Sequence, residues 1–150
     1  MSRKERRAAE KLSRKSPPPA QTASAFAAAE ALFQSGLRHH QEGRINEADS
    51  AYRSVLMTDP QHVGALTYLG ILAHQLGHSE AGIDLLRKAI AADRRNAEPH
   101  FHLGRLYADL GRDDDAIRFT TKAIRLRPEY ADAHTNLGAL LLFRHETANA

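Results

Sequence analysis

Small and apolar positions along this chain recur with a period of 34 residues. Three copies align without gaps. They read AEALFQSGLRHHQEGRINEADSAYRSVLMTDPQH from Ala29, VGALTYLGILAHQLGHSEAGIDLLRKAIAADRRN from Val63 and AEPHFHLGRLYADLGRDDDAIRFTTKAIRLRPEY from Ala97, and a fourth begins at Ala131. Within the copies glycine returns at Gly36, Gly70, Gly104 and Gly138, then again at Gly43, Gly77 and Gly111. Small residues follow at Ala48, Gly82 and Ala116, and a second set at Val55, Ala89 and Ala123. Pro60 and Pro128 close the first and third copies.

These positions have physical reasons. Gly43, Gly77 and Gly111 stand where one helical pattern stops, and glycine is the residue that tolerates the left-handed backbone of a helix end. A second helix follows, with acidic residues in its first turn, clearest at Asp113, Asp114 and Asp115. Proline then ends it, because the ring removes a donor and clashes with the preceding turn. Each unit is thus predicted as two antiparallel helices of about 13–15 residues, roughly 20 Å long. Glycine inside a helix costs about 1 kcal/mol relative to alanine. Its return at Gly36, Gly70, Gly104 and Gly138 predicts that another helix passes too close there for a Cβ. Ala48, Gly82 and Ala116 are the expected partners, and these seven residues form the predicted repeat-packing set.

The pattern resembles the tetratricopeptide repeat, a 34-residue helix-turn-helix unit with Leu-Gly, then Tyr, Ala, an aromatic, Ala and Pro at set offsets. The third copy carries Leu103-Gly104, Tyr107, Gly111, Ala116, Ala123 and Pro128, and the first carries Gly36, Ala48, Tyr52 and Pro60. Ser35 precedes Gly36, Gly82 replaces the usual Ala and Arg94 the usual Pro, while the customary Trp is Leu32, Leu66, His100 and His134. The resemblance covers residues 29–150, about four fifths of the chain. It implies an all-α fold, a right-handed superhelical α-solenoid with units 29–62, 63–96, 97–130 and a half unit 131–150. Its concave face would be lined by the first helix of each unit. It also implies a groove that binds a peptide or protein segment and carries no chemistry.

Composition changes the picture mainly by exclusion. The chain holds no Cys, so disulfides, thiolate nucleophiles and thiolate metal clusters are ruled out. A reducing, cytoplasmic setting is the expectation. Trp is absent and aromatics are only 6%, so the core must be built from Leu, Ile and Ala. No apolar run is longer than that from Ala139 to Phe143, which is too short for a membrane span. The net charge of +3 is unevenly spread: residues 1–25 hold seven Lys/Arg and two Glu, whereas the remainder is slightly acidic. That stretch contains Pro17-Pro18-Pro19 and reads as a basic, disordered, solubilising arm ahead of a repeat domain at 26–150. No aromatic residue interleaves its charges for base stacking, so nucleic acid is not the expected partner.

Candidate chemistry is sparse. His74 and His78 lie four residues apart, but Gly77 intervenes at a predicted helix end and no third ligand is fixed nearby. No metal, cofactor or catalytic constellation is expected. More informative is the column two residues before each first-helix glycine, Gln34, Tyr68, His102 and Asn136, all able to donate and accept hydrogen bonds. In the similar repeats of O-linked N-acetylglucosamine transferases this column is an asparagine ladder that holds the substrate backbone, and Asn136 matches it. With Phe33, Leu37, Thr67, Ile71, Phe101 and Arg105, these four make the predicted groove, whose mixture of apolar and polar groups suits a peptide segment.

Two functional expectations follow. The first is a protein–protein interaction scaffold. The second is the N-terminal, substrate-recruiting region of a larger enzyme, such as a glycosyltransferase or methyltransferase, an expectation raised by a fourth copy that stops halfway. Leu137, Leu140 and Leu141 of that copy are expected to lack a second helix of their own, which raises the prospect of a homodimer through the half repeat.

Overall fold

A computed structural model describes the chain from residue 19, with side chains from residue 22. Its described residues form seven helices and no strand: α1 (Pro19–Gln41), α2 (Ile45–Thr58), α3 (Val63–Gln75), α4 (Ser79–Ala92), α5 (Ala97–Asp109), α6 (Asp113–Leu126) and α7 (Ala131–Ala148). Helices α1, α3, α5 and α7 stack side by side as one layer, and α2, α4 and α6 pack antiparallel against them as the other. The fold is an α-solenoid, as the period implies. One boundary differs. Helix α1 begins at Pro19, inside the stretch read as a disordered arm. Proline is favoured at the first helical position, and the alanine-rich run that follows has high helix propensity, which explains the longer helix. The rest of that arm lies outside the described residues.

Both kinds of turn repeat their geometry. Gly43, Gly77 and Gly111 have φ of 72°, 87° and 70°. At the second of these, the Gly77 N–H donates to His74 O (2.9 Å) and the His78 N–H to Ala73 O (2.8 Å), satisfying carbonyls the helix leaves open. A Cβ at Gly77 would meet nothing within 4 Å, so only the backbone angle opposes substitution. Gly77→Ala is therefore expected to lose about 1–2 kcal/mol, and Gly77→Asn less, because Asn tolerates that region. Urea melts of the two variants would check the order. Between repeats the chain leaves α2, α4 and α6 through extended residues, Asp59, Asp93 and Arg127, with φ of −129°, −145° and −137°. Proline follows the first and third of these. After Asp93 it does not, and there the Asp93 carboxylate accepts from the Arg95 N–H (3.0 Å), as Asp59 does from Gln61 (3.1 Å). That side-chain turn keeps the geometry without the ring.

The core runs along the seam between layers, with Tyr52, Val55, Leu72, Leu86, Leu103 and Tyr107 fully enclosed. First-helix glycines sit over it. A Cβ at Gly36 would stand 2.7 Å from the Tyr52 ring, at Gly70 3.0 Å from Leu86, and at Gly104 2.5 Å from the Thr120 hydroxyl. The nearest atoms thus belong to the residue one turn beyond the expected small residue in each second helix. Ala48 is absent from the nearest contacts of Gly36, whereas the backbone carbonyls of Gly82 and Ala116 do lie within 3.2 Å of the positions at Gly70 and Gly104. Gly138 departs from the expectation altogether. A Cβ there meets nothing within 4 Å, because among the described residues no helix packs over that face. Leu140, expected to lack cover, is instead buried against α5 and α6, while Leu141, Leu142 and Phe143 are exposed.

Candidate functional site

Repeat register places equivalent residues of α3, α5 and α7 on one open side. There Tyr68, His102, Arg105 and Asn136 border a groove of about 660 Å³, together with Glu98, Tyr130 and Asp132. A narrower cleft of about 120 Å³ continues from it past Ile71, His74 and Asp109. Phe101 forms the floor, its ring 4.8 Å from that of Tyr130 and beneath the Arg105 guanidinium at 5.8 Å. Tyr130 packs against this ring and Arg105 caps its face, so an apolar floor lies within a polar rim.

Glu98 links successive repeats. It accepts a hydrogen bond from the Tyr68 hydroxyl at 3.0 Å and faces the His102 ring at 3.9 Å. His102 and Tyr68 hold the Glu98 carboxyl below its ordinary value, against the opposing effect of partial burial. At 3.9 Å the imidazole is beyond a full hydrogen bond, so the Tyr68 bond is the firmer of the two. Burial, and then the negative charge of Glu98, push the Tyr68 hydroxyl well above its usual range. Burial likewise raises Tyr130 to about 12. Both phenols are consequently protonated donors at neutral pH.

Further along, His74 donates from Nε2 to Asp109 at 2.9 Å, and its Nδ1 lies 2.9 Å from the Ser79 hydroxyl. Serine, histidine and aspartate are the residue types of a nucleophilic triad. Here the Asp109 side chain is 61% exposed and hydrated, unlike the buried acid that stabilises an imidazolium. The array works as a tie between α3 and α5. His40 makes the same tie one repeat earlier, donating to the Gln75 side chain at 3.1 Å. Among the described residues no cluster of three or more His, Cys, Asp or Glu could hold a metal ion. No described helix is long and apolar enough to cross a membrane.

The predicted groove set divides. Tyr68, Ile71, His102, Arg105 and Asn136 come together on the open side. Asn136 also donates from Nδ2 to Thr120 at 3.3 Å. Gln34 is exposed on α1 but spends its amide N–H on Glu30 of the same helix at 2.9 Å. Leu37 is half-buried against the first core cluster. Phe33 is buried, with its ring over Gly64, where a Cβ would stand 2.5 Å away. Thr67 is corrected outright: it is 1% exposed and its hydroxyl donates to the Val63 carbonyl at 2.7 Å, so it faces the interior. The column reasoning missed Glu98 and Tyr130. A signal for the first was present, since the second position of the four copies reads Glu30, Gly64, Glu98 and Asp132, an acidic column with one gap.

Comparison with known proteins agrees with this architecture. No curated protein matches the chain. Among solved structures, an O-GlcNAc transferase mutant of Thermobaculum terrenum is similar over 80% of the chain, with 29% identity and a TM-score of 0.74. The chain spans only 22% of that transferase's length. Pseudomonas aeruginosa pilF is similar over 83% of the chain and 57% of its own, with 27% identity and a TM-score of 0.76. At 18% identity, the first TPR of Spaghetti (RPAP3), bound to an HSP90 peptide, shares the fold over 78% of the chain and 93% of its own, with a TM-score of 0.71. A family model described as tetratricopeptide repeat matches residues 35–97 and another, described as TPR repeat, matches residues 104–142. Carrying that repeat over most of its length, the chain belongs to the tetratricopeptide-repeat family.

Proposed function

We propose that this protein is an interaction scaffold that holds an extended segment of another protein in the groove across α3, α5 and α7. The observation that carries the reading is the row of hydrogen-bonding groups set in repeat register, Tyr68, His102 and Asn136, beside an aromatic floor at Phe101. A peptide main chain offers donors and acceptors at regular intervals, and apolar side chains between them fill such a floor. Glu98 and Asp132 on the groove rim make a segment with basic residues the better complement there. The structure of the Spaghetti repeat with its HSP90 peptide is a precedent for a segment seated on this fold.

The test starts from a peptide selected out of a random library against the whole chain, titrated calorimetrically. Tyr68→Ala combined with His102→Ala is expected to weaken it at least tenfold, about 1.4 kcal/mol, with helicity unchanged. Deleting residues 1–18 is expected to alter only a salt-sensitive component. A peptide that binds the double variant normally, and is lost with the deletion at every salt concentration, would place recognition outside the groove.

A second reading has a specific observation behind it, the likeness at 29% identity to part of a transferase. In that reading the same groove recruits substrate for a larger enzyme. The coding sequence beyond codon 150 decides it: an open frame leading into a transferase domain supports recruitment, and a stop codon ends it.

A further inference from the structure

We propose that residues 1–18 of the chain itself occupy the Glu98 and Asp132 end of the groove in cis, so that a partner segment enters by displacing them. This occupancy rests on the groove being a segment-binding surface, and it makes the chain its own first ligand.

Charge selects the occupant. Among the residues lining the groove and the cleft that continues it, Glu98, Asp109 and Asp132 are acidic and Arg105 alone is a permanent cation. Asp109 is taken by His74, but the other two carboxylates are available. The Tyr68 hydroxyl donates to Oε1 of Glu98, and Oε2 takes no hydrogen bond from any described residue. Asp132, in the first turn of α7, is exposed and has no hydrogen-bond or ion-pair partner among the described residues. The nearby guanidinium groups are spent on rings, Arg105 over Phe101 at 5.8 Å and Arg127 over Tyr130 at 4.6 Å. Arg127 is near enough to favour the charged form of Glu98 but forms no ion pair with it. Carboxylates left open in this way attract ammonium and guanidinium groups. Residues 1–18 hold seven Lys/Arg against two Glu, whereas the rest of the chain holds 14 basic and 16 acidic residues.

Topology brings the two together. Helices α1, α3, α5 and α7 run parallel, so residue 19, where α1 begins, lies at the end of the array that carries Glu98 and Asp132 in the first turns of α5 and α7. Helix α1 starts about ten residues ahead of Ala29, which sets its tip roughly 15 Å beyond that end. Across the layer α5 is two helix spacings from α1, roughly 20 Å. A segment of 18 residues spans up to roughly 60 Å, so it covers this path with length to spare for contact. A ligand tethered over so short a path is present at an effective concentration in the millimolar range, and even a weak pairing is then populated.

The chain holds no cysteine, so Ser13→Cys gives a single site for a nitroxide label. Paramagnetic broadening of backbone amide signals, recorded on the full chain without any partner, then locates the segment. Outside α1, the strongest broadening is expected around Glu98, His102 and Asp132. It should vanish at about 1 M salt, where the screening length is about 3 Å, and in the combined variant Glu98→Gln, Asp132→Asn. Gln still accepts from the Tyr68 hydroxyl, so circular dichroism should show unchanged helicity. Replacing the seven Lys/Arg of residues 1–18 with Gln should tighten a library-selected peptide about threefold or more at low salt, and leave it unchanged at about 1 M. Broadening confined to α1, spread equally over the outer faces of α2 and α4, or surviving the Glu98 and Asp132 substitutions overturns the proposal. Broadening of unlabelled, isotope-enriched chains mixed with labelled ones would mean occupancy by a second copy and overturns it too. A selected peptide that still binds through Tyr68 and His102 in any of those cases leaves the scaffold reading standing. Groove broadening with no selectable peptide would count against that reading alone.

Discussion

Replacing Gly104 with leucine is expected to collapse the third repeat. A Cβ at that position stands 2.5 Å from the Thr120 hydroxyl, 3.1 Å from the Thr120 N and 3.2 Å from the Ala116 carbonyl. Two of these neighbours are backbone atoms of α6 and cannot swing aside. Thr120 is fully buried and engaged with Asn136, so its side chain has little room to move either. The helices must separate to admit the larger residue, opening the seam that holds Leu103, Leu106 and Ala116. Leucine's better helix propensity returns about 1 kcal/mol, while overpacking of this kind typically costs 1–3 kcal/mol and more where backbone must shift. We expect a net loss of about 3 kcal/mol and a fall in melting midpoint on the order of 10 °C. An unchanged midpoint in a thermal melt would show that α5 and α6 do not approach at this glycine.

Tyr107→Ala is expected to have an effect of similar size by the opposite route, removal of material. The ring is fully enclosed, 5.6 Å from Phe119, with the Arg112 guanidinium 4.5 Å above it and the Arg87 side chain donating to its hydroxyl at 2.9 Å. Truncating a buried aromatic to alanine typically costs about 3–5 kcal/mol, because transfer energy and a cavity add. Tyr107→Phe separates the contributions, since it keeps the ring and removes only the hydrogen bond, worth about 0.5–1.5 kcal/mol. Urea denaturation of the pair should give a large shift for alanine and a small one for phenylalanine. Comparable shifts would mean that the Arg87 bond, and not the packed ring, holds α4 to α5.

Much of this architecture was legible because it is periodic. The 34-residue offset, the turns at Gly43, Gly77 and Gly111 and the stops before Pro60 and Pro128 each have a local cause that one residue type supplies. The misread features depend on neighbours. Thr67 shares its column with Phe33 and Phe101, yet whether such a residue faces groove or core is decided by the packing of α1 and α5, which no local signal reports. Tyr52, Leu86 and Thr120 have no common chemistry, so their shared place beneath the glycines appears only when α2, α4 and α6 are docked. Glu98 becomes a groove residue through the Tyr68 hydroxyl, a partner 30 residues away. The start of α1 at Pro19 was hidden differently. A proline triplet reads as a linker until the alanine-rich run behind it is weighed as a helix in its own right.

The uniform exits after α2, α4 and α6 bear on how such a chain can grow. Helices of 14 and 13 residues alternate from α2 through α6, and each inter-repeat joint leaves through the same extended backbone. The seams at 62–63 and 96–97 are therefore interchangeable. A gene segment of 34 codons copied in frame at either seam would meet an incoming and an outgoing joint of the geometry it already has, and would add one more rung to the groove while leaving both neighbours in their old contacts. For this backbone, duplication is a smaller structural step than many single substitutions: Gly104→Leu disrupts more than the insertion of an entire repeat would.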